Sequence, residues 1–208
     1  MHDLRERWNR LWQSLGAAGS PEPAFDSLAA AYGEPGRAYH NLHHVEMCLD
    51  ELERAEFLAE REPELELAIW FHDAVHDPRG KDNEQRSAEL AATLATQAKM
   101  AQVRPAAVRD LILATRHDAT PQSTDPRLMA DIDLAILGQK PAVFDAYDDA
   151  IRKEYDWVPA PAFGGERIKV LRRFLDRPHV YHTAMFRGRY ETAARANLER
   201  AIQRWKNH

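Results

Sequence analysis

The sequence predicts an all-α protein, a single-domain helical bundle. Apolar residues recur at helical spacing almost throughout. Ala, Leu, Glu and Arg dominate, and no segment shows the clean alternation of a half-buried strand. The 208 residues suit one domain spanning 1–208. With 44% apolar and 29% charged residues, an ordinary water-exposed surface and a packed core are both expected.

Helices are expected in chain order over Asp3–Leu15, Pro21–Ala31, Leu42–Arg54 and Pro63–Val75. Five consecutive apolar residues, "LAIWF", mark the last of these as buried. Further helices are expected over Asn83–Ala101, Pro105–Thr115, Pro126–Gly138, Pro141–Tyr155, Gly165–Asp176 and Met185–Trp205. "RPAAV" and "KPAVF" put proline at the first helical position, where its missing N–H costs nothing. Breaks fall at "GEPGRAYHN", "DPRGKDN", "HDATPQSTDP" and "WVPAPAFGG". There is no internal repeat or low-complexity linker.

Net charge −5 and a pI near 6.1 argue against a general nucleic-acid surface. The amphipathic start is not a secretory signal, and the longest apolar runs are far short of a membrane span. A cytoplasmic protein is the expectation. The single cysteine, Cys48, excludes an intramolecular disulfide and a cysteine zinc cluster. Ten histidines are the first hint of a site; His2 and His208 stand at the ends.

Three segments place His or Asp where the helical pattern predicts burial. In "YHNLHHVEMCLDEL", Val45, Cys48, Leu49 and Leu52 form the apolar face. His44 falls at its edge, His43 nearly opposite, and His40 one turn before His44. In "LAIWFHDAVHD", His72 and Asp73 follow the apolar run, about 100° apart on a helix. They make either a self-satisfied pair or two donors for one ion. In "RLMADIDLAILG", Met129, Ile132, Ile136 and Leu137 form a face with Asp133 on its flank, and Asp131 further toward the polar side. A buried carboxylate needs a partner, a salt bridge or a metal. His44, His72, Asp73 and Asp133 together give two imidazoles and two carboxylates. That set suits Mn, Fe, Co, Ni or Zn with positions open for water, and Mg less well. One ion is favoured over two.

The order His, then His-Asp, then Asp on successive helices resembles the HD-domain metal-dependent phosphohydrolases. "YHNLHH", "AIWFHDAVHD", "DNEQRSAELA", "LATRHD", "ADIDLAILG" and "IRKEYDWVP" look like the blocks of a bacterial branch of that superfamily, over roughly 39–197. The resemblance implies an HD-type helical fold and hydrolysis of phosphate esters, often nucleotides. In the distantly similar cyclic-nucleotide phosphodiesterases, the first histidine of a "YHN" block is the general acid. The histidine four residues later binds metal. Carried over, this makes His40 the acid candidate and His44 a ligand, with Asp133 the ligand of "DID".

The implied reaction is in-line attack of a metal-activated water on phosphorus, with His40 protonating the leaving oxygen. His117, Lys81 and Glu84 are further catalytic candidates. A second ion would need His76, His117 or Glu84. His76 is open between a supporting and a surface role. Lys81, Arg116, Arg152 and Arg187 are the candidate phosphate cations, although Arg187 is expected to pair with Glu191. Asp82 with Glu84 also reads as a helix cap with a first-turn acid. The expected partner is a small phosphorylated substrate, possibly a nucleotide, with no membrane or general nucleic-acid binding. Two other classes stay open: a ligand-binding HD protein without turnover, and a di-iron HD oxygenase.

Overall fold

The computed structural model describes residues 4–207; His2, Asp3 and His208 lie outside them. The fold is all-α: ten α-helices and two short 3-10 segments, with no strand among the described residues. Contacts divide the chain into two compact units, the first ending at Ala130 and the second beginning at Asp131.

The first unit holds α1 (Leu4–Ser14), α2 (Glu22–Tyr32), α3 (Leu42–Ala55), α4 (Glu62–Phe71), α5 (Asn83–Gln97) and α6 (Pro105–Ala114). The unit boundary falls inside α7 (Thr124–Asp133). Helix α4 is the centre of the first unit and touches α1, α3, α5 and α6. Leu65 and every residue from Leu67 to Phe71 are buried, so the C-terminal half of α4 is apolar all round, as a helix enclosed by others must be. Trp8 meets Trp70 edge-on at 5.3 Å, and Phe25 meets it at 6.1 Å. The polar start of α4 is also satisfied. Asp125 accepts the N–H groups of Glu60 and Arg61 at 2.8 and 3.0 Å, and buried Glu64 pairs with Arg104 at 2.8 Å.

The expected helix Pro63–Val75 stops four residues early. Side chains from the segment before α3 take one of its last carbonyls and two in the turn that follows it. Tyr32 Oη donates to the Trp70 carbonyl at 3.0 Å. The guanidinium of Arg37 donates to the carbonyls of Asp73 at 2.6 Å and Ala74 at 3.0 Å. His72 and Asp73 therefore stand in a turn after the helix, not on it. In the loop that follows, Asp82 makes no side-chain cap to α5. Asn83 instead clamps Asp77, accepting its N–H at 3.1 Å and donating to its carbonyl at 2.9 Å.

The second unit holds the 3-10 segment Leu134–Gly138, α8 (Pro141–Glu154), α9 (Ala160–Leu175) and α10 (Ala184–Lys206). The expected single helix Pro126–Gly138 tightens after Asp133, because distant side chains claim its carbonyls. Tyr181 donates to Leu134 and Asn197 to Leu137. A Cβ on Gly138 would stand 2.5 Å from Tyr190, so only glycine fits there. Helix α9 starts at Ala160, ahead of the expected Gly165, with proline in its first turn and Gly164 packed on the backbone of Trp205. Buried Asp148 gathers Arg167 and Trp205 at 2.8 Å each.

Candidate metal centre

The block "RAYHNLHH" forms the loop and first turn that carry the imidazoles. Asn41 caps α3 by accepting the His43 N–H at 2.9 Å, while its amide donates to the Ala38 carbonyl at 3.1 Å. The cap fixes the helix start, and the start decides which histidine points inward. His44 is 3% exposed; His43 is exposed and faces Glu46 at 3.4 Å.

His72, 1% exposed, meets His44 from the turn after α4. Its Nδ1 donates to the Ile69 carbonyl at 2.8 Å. That bond commits the Nδ1 proton and leaves Nε2 as the inward atom. Nε2 lies 3.0 Å from His44 Nε2 and 3.0 Å from Asp73 Oδ2, which is itself 3.5 Å from His44 Nε2. Three donor atoms thus form a tight triangle. A proton on an imidazole or a bound cation would bridge them. Burial alone would raise the Asp73 carboxyl. The imidazoles of His72, His40 and His44 outweigh burial and hold it well below the usual carboxylate range. Asp73 is therefore ionised and ready to ligate.

Cys48, one turn after His44, is buried with its Sγ 3.8 Å from both ring nitrogens of His44. His44, Cys48 and His72 each offer a ligand atom within 4.8 Å of the others, a group able to hold a metal ion. The donor set fits a borderline divalent cation, and the Nδ1–H···O=C bond of His72 is the support that metal-bound histidines need. Asp133 is half-buried at the C-terminal end of α7.

His40 sits in the loop before α3. Its ring stacks on His76 at 4.2 Å and stands edge-on to Tyr39 at 5.1 Å and to His44 at 6.1 Å. His76 is thus the neighbour of the acid candidate, while Asp77 belongs to the loop clamp and caps its own turn through the Arg79 N–H at 2.9 Å. Arg37, its side chain 3% exposed, joins the two halves of the site: besides the Asp73 and Ala74 carbonyls it reaches the His40 carbonyl at 3.3 Å. Ser87 of α5 holds the other side of the turn, accepting the Val75 N–H at 3.1 Å.

The remaining candidates stand on other segments. Glu84 is half-buried in the first turn of α5, and Lys81 is exposed in the loop before it. His117 follows α6 with φ +53°, outside the donor group of His44 and His72. Arg116 pairs with Asp118 at 3.4 Å. Arg152, an expected phosphate cation, closes its own helix by donating to the Tyr155 and Val158 carbonyls. Glu191 pairs with Arg195 at 2.8 Å rather than with the expected Arg187. Asp131 is not on a polar face: it is fully buried and accepts the N–H groups of His182 and Thr183 at 2.6 and 2.7 Å, at the start of α10.

Arg37, Tyr39, Cys48 and Ser87 were missed as site residues. Arg37 lies in a turn-rich stretch where periodicity is silent, and Cys48 was absorbed into the apolar face of α3. Among the described residues, no helix is long and apolar enough to cross a membrane. Compared with known proteins, the chain matches no family model, no curated protein and no solved structure.

Proposed function

We propose that the chain is a metal-dependent phosphohydrolase acting on a nucleotide or another small phosphate ester. The observation that supports this reading best is the triangle of His44 Nε2, His72 Nε2 and Asp73 Oδ2. These three side chains, with Asp133 added from the sequence pattern, would hold the ion, and two carboxylates balance its charge. A bound divalent ion supplies Lewis-acid polarisation of a phosphoryl oxygen and an activated water.

The chain's own groups do the rest. His72 keeps its Nδ1 proton on Ile69, so Nε2 is the atom it would offer the ion. In this reading His40 gives a proton to the leaving oxygen, and its stacking on His76 supports the ring's orientation. Arg37 holds the backbone of His40 and of Asp73 on one guanidinium, which keeps acid and ligand in register.

The test is to purify the chain without chelator, measure metal per chain, and assay a panel of phosphate monoesters, phosphodiesters and nucleotides with added Mn, Co, Ni, Zn or Mg. The expected result is one divalent ion per chain and metal-dependent release of phosphate or nucleoside monophosphate, both abolished in Asp73→Ala. Two irons per chain with oxygen-dependent turnover would replace the hydrolase by an oxygenase. A chain that takes up no divalent metal would leave a ligand-binding protein.

A further inference from the structure

We infer that Cys48 is a thiolate ligand of this centre, making it selective for thiophilic divalent ions such as Zn, Co or Fe(II) over Mg and Mn. The inference rests on the metal-centre reading above and deepens it.

Cys48 and His44 are four residues apart on α3, so their side chains share one face. The sulfur is buried, lies 3.8 Å from both ring nitrogens of His44, and belongs with His44 and His72 to one group whose ligand atoms are within 4.8 Å of one another. A tetrahedral ion with a Zn–S bond of about 2.3 Å and a Zn–N bond of about 2.0 Å spans roughly 3.6 Å from sulfur to nitrogen. The sulfur–nitrogen separation is a few tenths of an ångström above that span, and because the sulfur stands equally far from Nδ1, a turn of the Cys48 or His44 side chain completes the approach to the ion. The helix alone accounts for the nearness to His44; it is the His72 ligand atom, brought from another element within 4.8 Å, that makes the group one ion's reach across. On binding, the S–H bond breaks, the sulfur–metal bond forms with the sulfur's electron pair, and the proton leaves to solvent, so no oxidant or reductant takes part. Hard ions gain little from a sulfur donor, whereas Zn, Co and Fe(II) gain much.

Cobalt(II) reports the thiolate directly, because visible d–d bands show that the ion is bound and a near-ultraviolet charge-transfer band appears only with a sulfur ligand. The sequence holds one cysteine, so such a band has one source. The experiment titrates the full chain, and Cys48→Ser and Cys48→Ala, with cobalt, zinc and manganese. The wild type is expected to show both sets of bands. Both variants are expected to keep the visible bands, lose the near-ultraviolet band, and weaken cobalt and zinc by at least about tenfold while manganese changes little. Visible bands without a charge-transfer band in the wild type overturn the thiolate and leave the centre standing. A charge-transfer band that survives in both variants also overturns it. A wild-type chain that binds no cobalt overturns the centre itself, and the thiolate with it. The wild-type spectrum decides the matter even where a variant fails to fold.

Discussion

Two adjacent histidines show how a single side chain's direction sets its duty. His43 and His44 differ by one helical step, yet one is exposed beside Glu46 and the other is buried against His72. His44→Ala is expected to reduce bound metal to near zero per chain, while His43→Ala keeps the wild-type content. Equal losses by elemental analysis would undo the assignment. His40→Ala is expected to lower turnover about a hundredfold with the metal retained; loss of metal in that variant would turn His40 into a ligand. The wheel separates His44 from His43 because both neighbours and face lie on one helix. It fails at Asp131, whose partners, the amides of His182 and Thr183, are some fifty residues away. No periodicity within "ADIDLAILG" reports them.

Helix α4 was legible in its body and not at its end. An uninterrupted apolar run announces burial, and "LAIWF" is enclosed by four helices. The stop is written elsewhere, in Tyr32 and Arg37, which occupy one of its last carbonyls and two in the turn that follows it. The sequence therefore predicts His72 and Asp73 on a helix, whereas the turn is what brings Asp73 Oδ2 to the same point as both imidazoles. Similar remote capture shortens α7. Arg37→Gln leaves the Asp73 and Ala74 carbonyls without a charged donor at a buried position. It is expected to cost about 3 kcal/mol in urea unfolding, since bonds to charged donors are the stronger class. A change below about 0.5 kcal/mol would mean that water replaces the guanidinium without penalty.

For the whole molecule, the acid surplus read from composition becomes a pH dependence carried by particular carboxyls. Burial, then the neighbouring Glu62, pushes Glu66 up to about 7, against the lowering bond from Trp70 and the charges of Arg7 and Arg10. Burial also raises Asp131 to about 6, against the amides of His182 and Thr183. Both shifts run upward, so the folded state holds these protons after the unfolded chain has lost them. Stability from these groups therefore falls as pH rises from the ordinary carboxyl range to about 6 and about 7, and is level above. Glu66→Gln removes that penalty. It is expected to stabilise the protein on the order of 2 kcal/mol at about pH 8, with the gain fading toward about pH 4. A gain equal at both pH values in denaturant titrations would contradict the shift. At this scale the all-α class was legible, because helical spacing repeats through the chain. The division at residue 130 was not, because it falls inside a helix, past the Pro126 of its first turn, with no glycine or proline at the boundary itself.

The Arg37 clip also determines which parts of the first unit open together. One guanidinium holds the carbonyls of His40, Asp73 and Ala74, so neither segment can loosen without releasing the other. In amide hydrogen exchange the His44 N–H, bonded to Asn41, and the Ala74 N–H, bonded to Phe71, should exchange with the same opening free energy. Metal should slow both equally, since an ion that binds only the closed form lowers the population of every state in which the clip is undone.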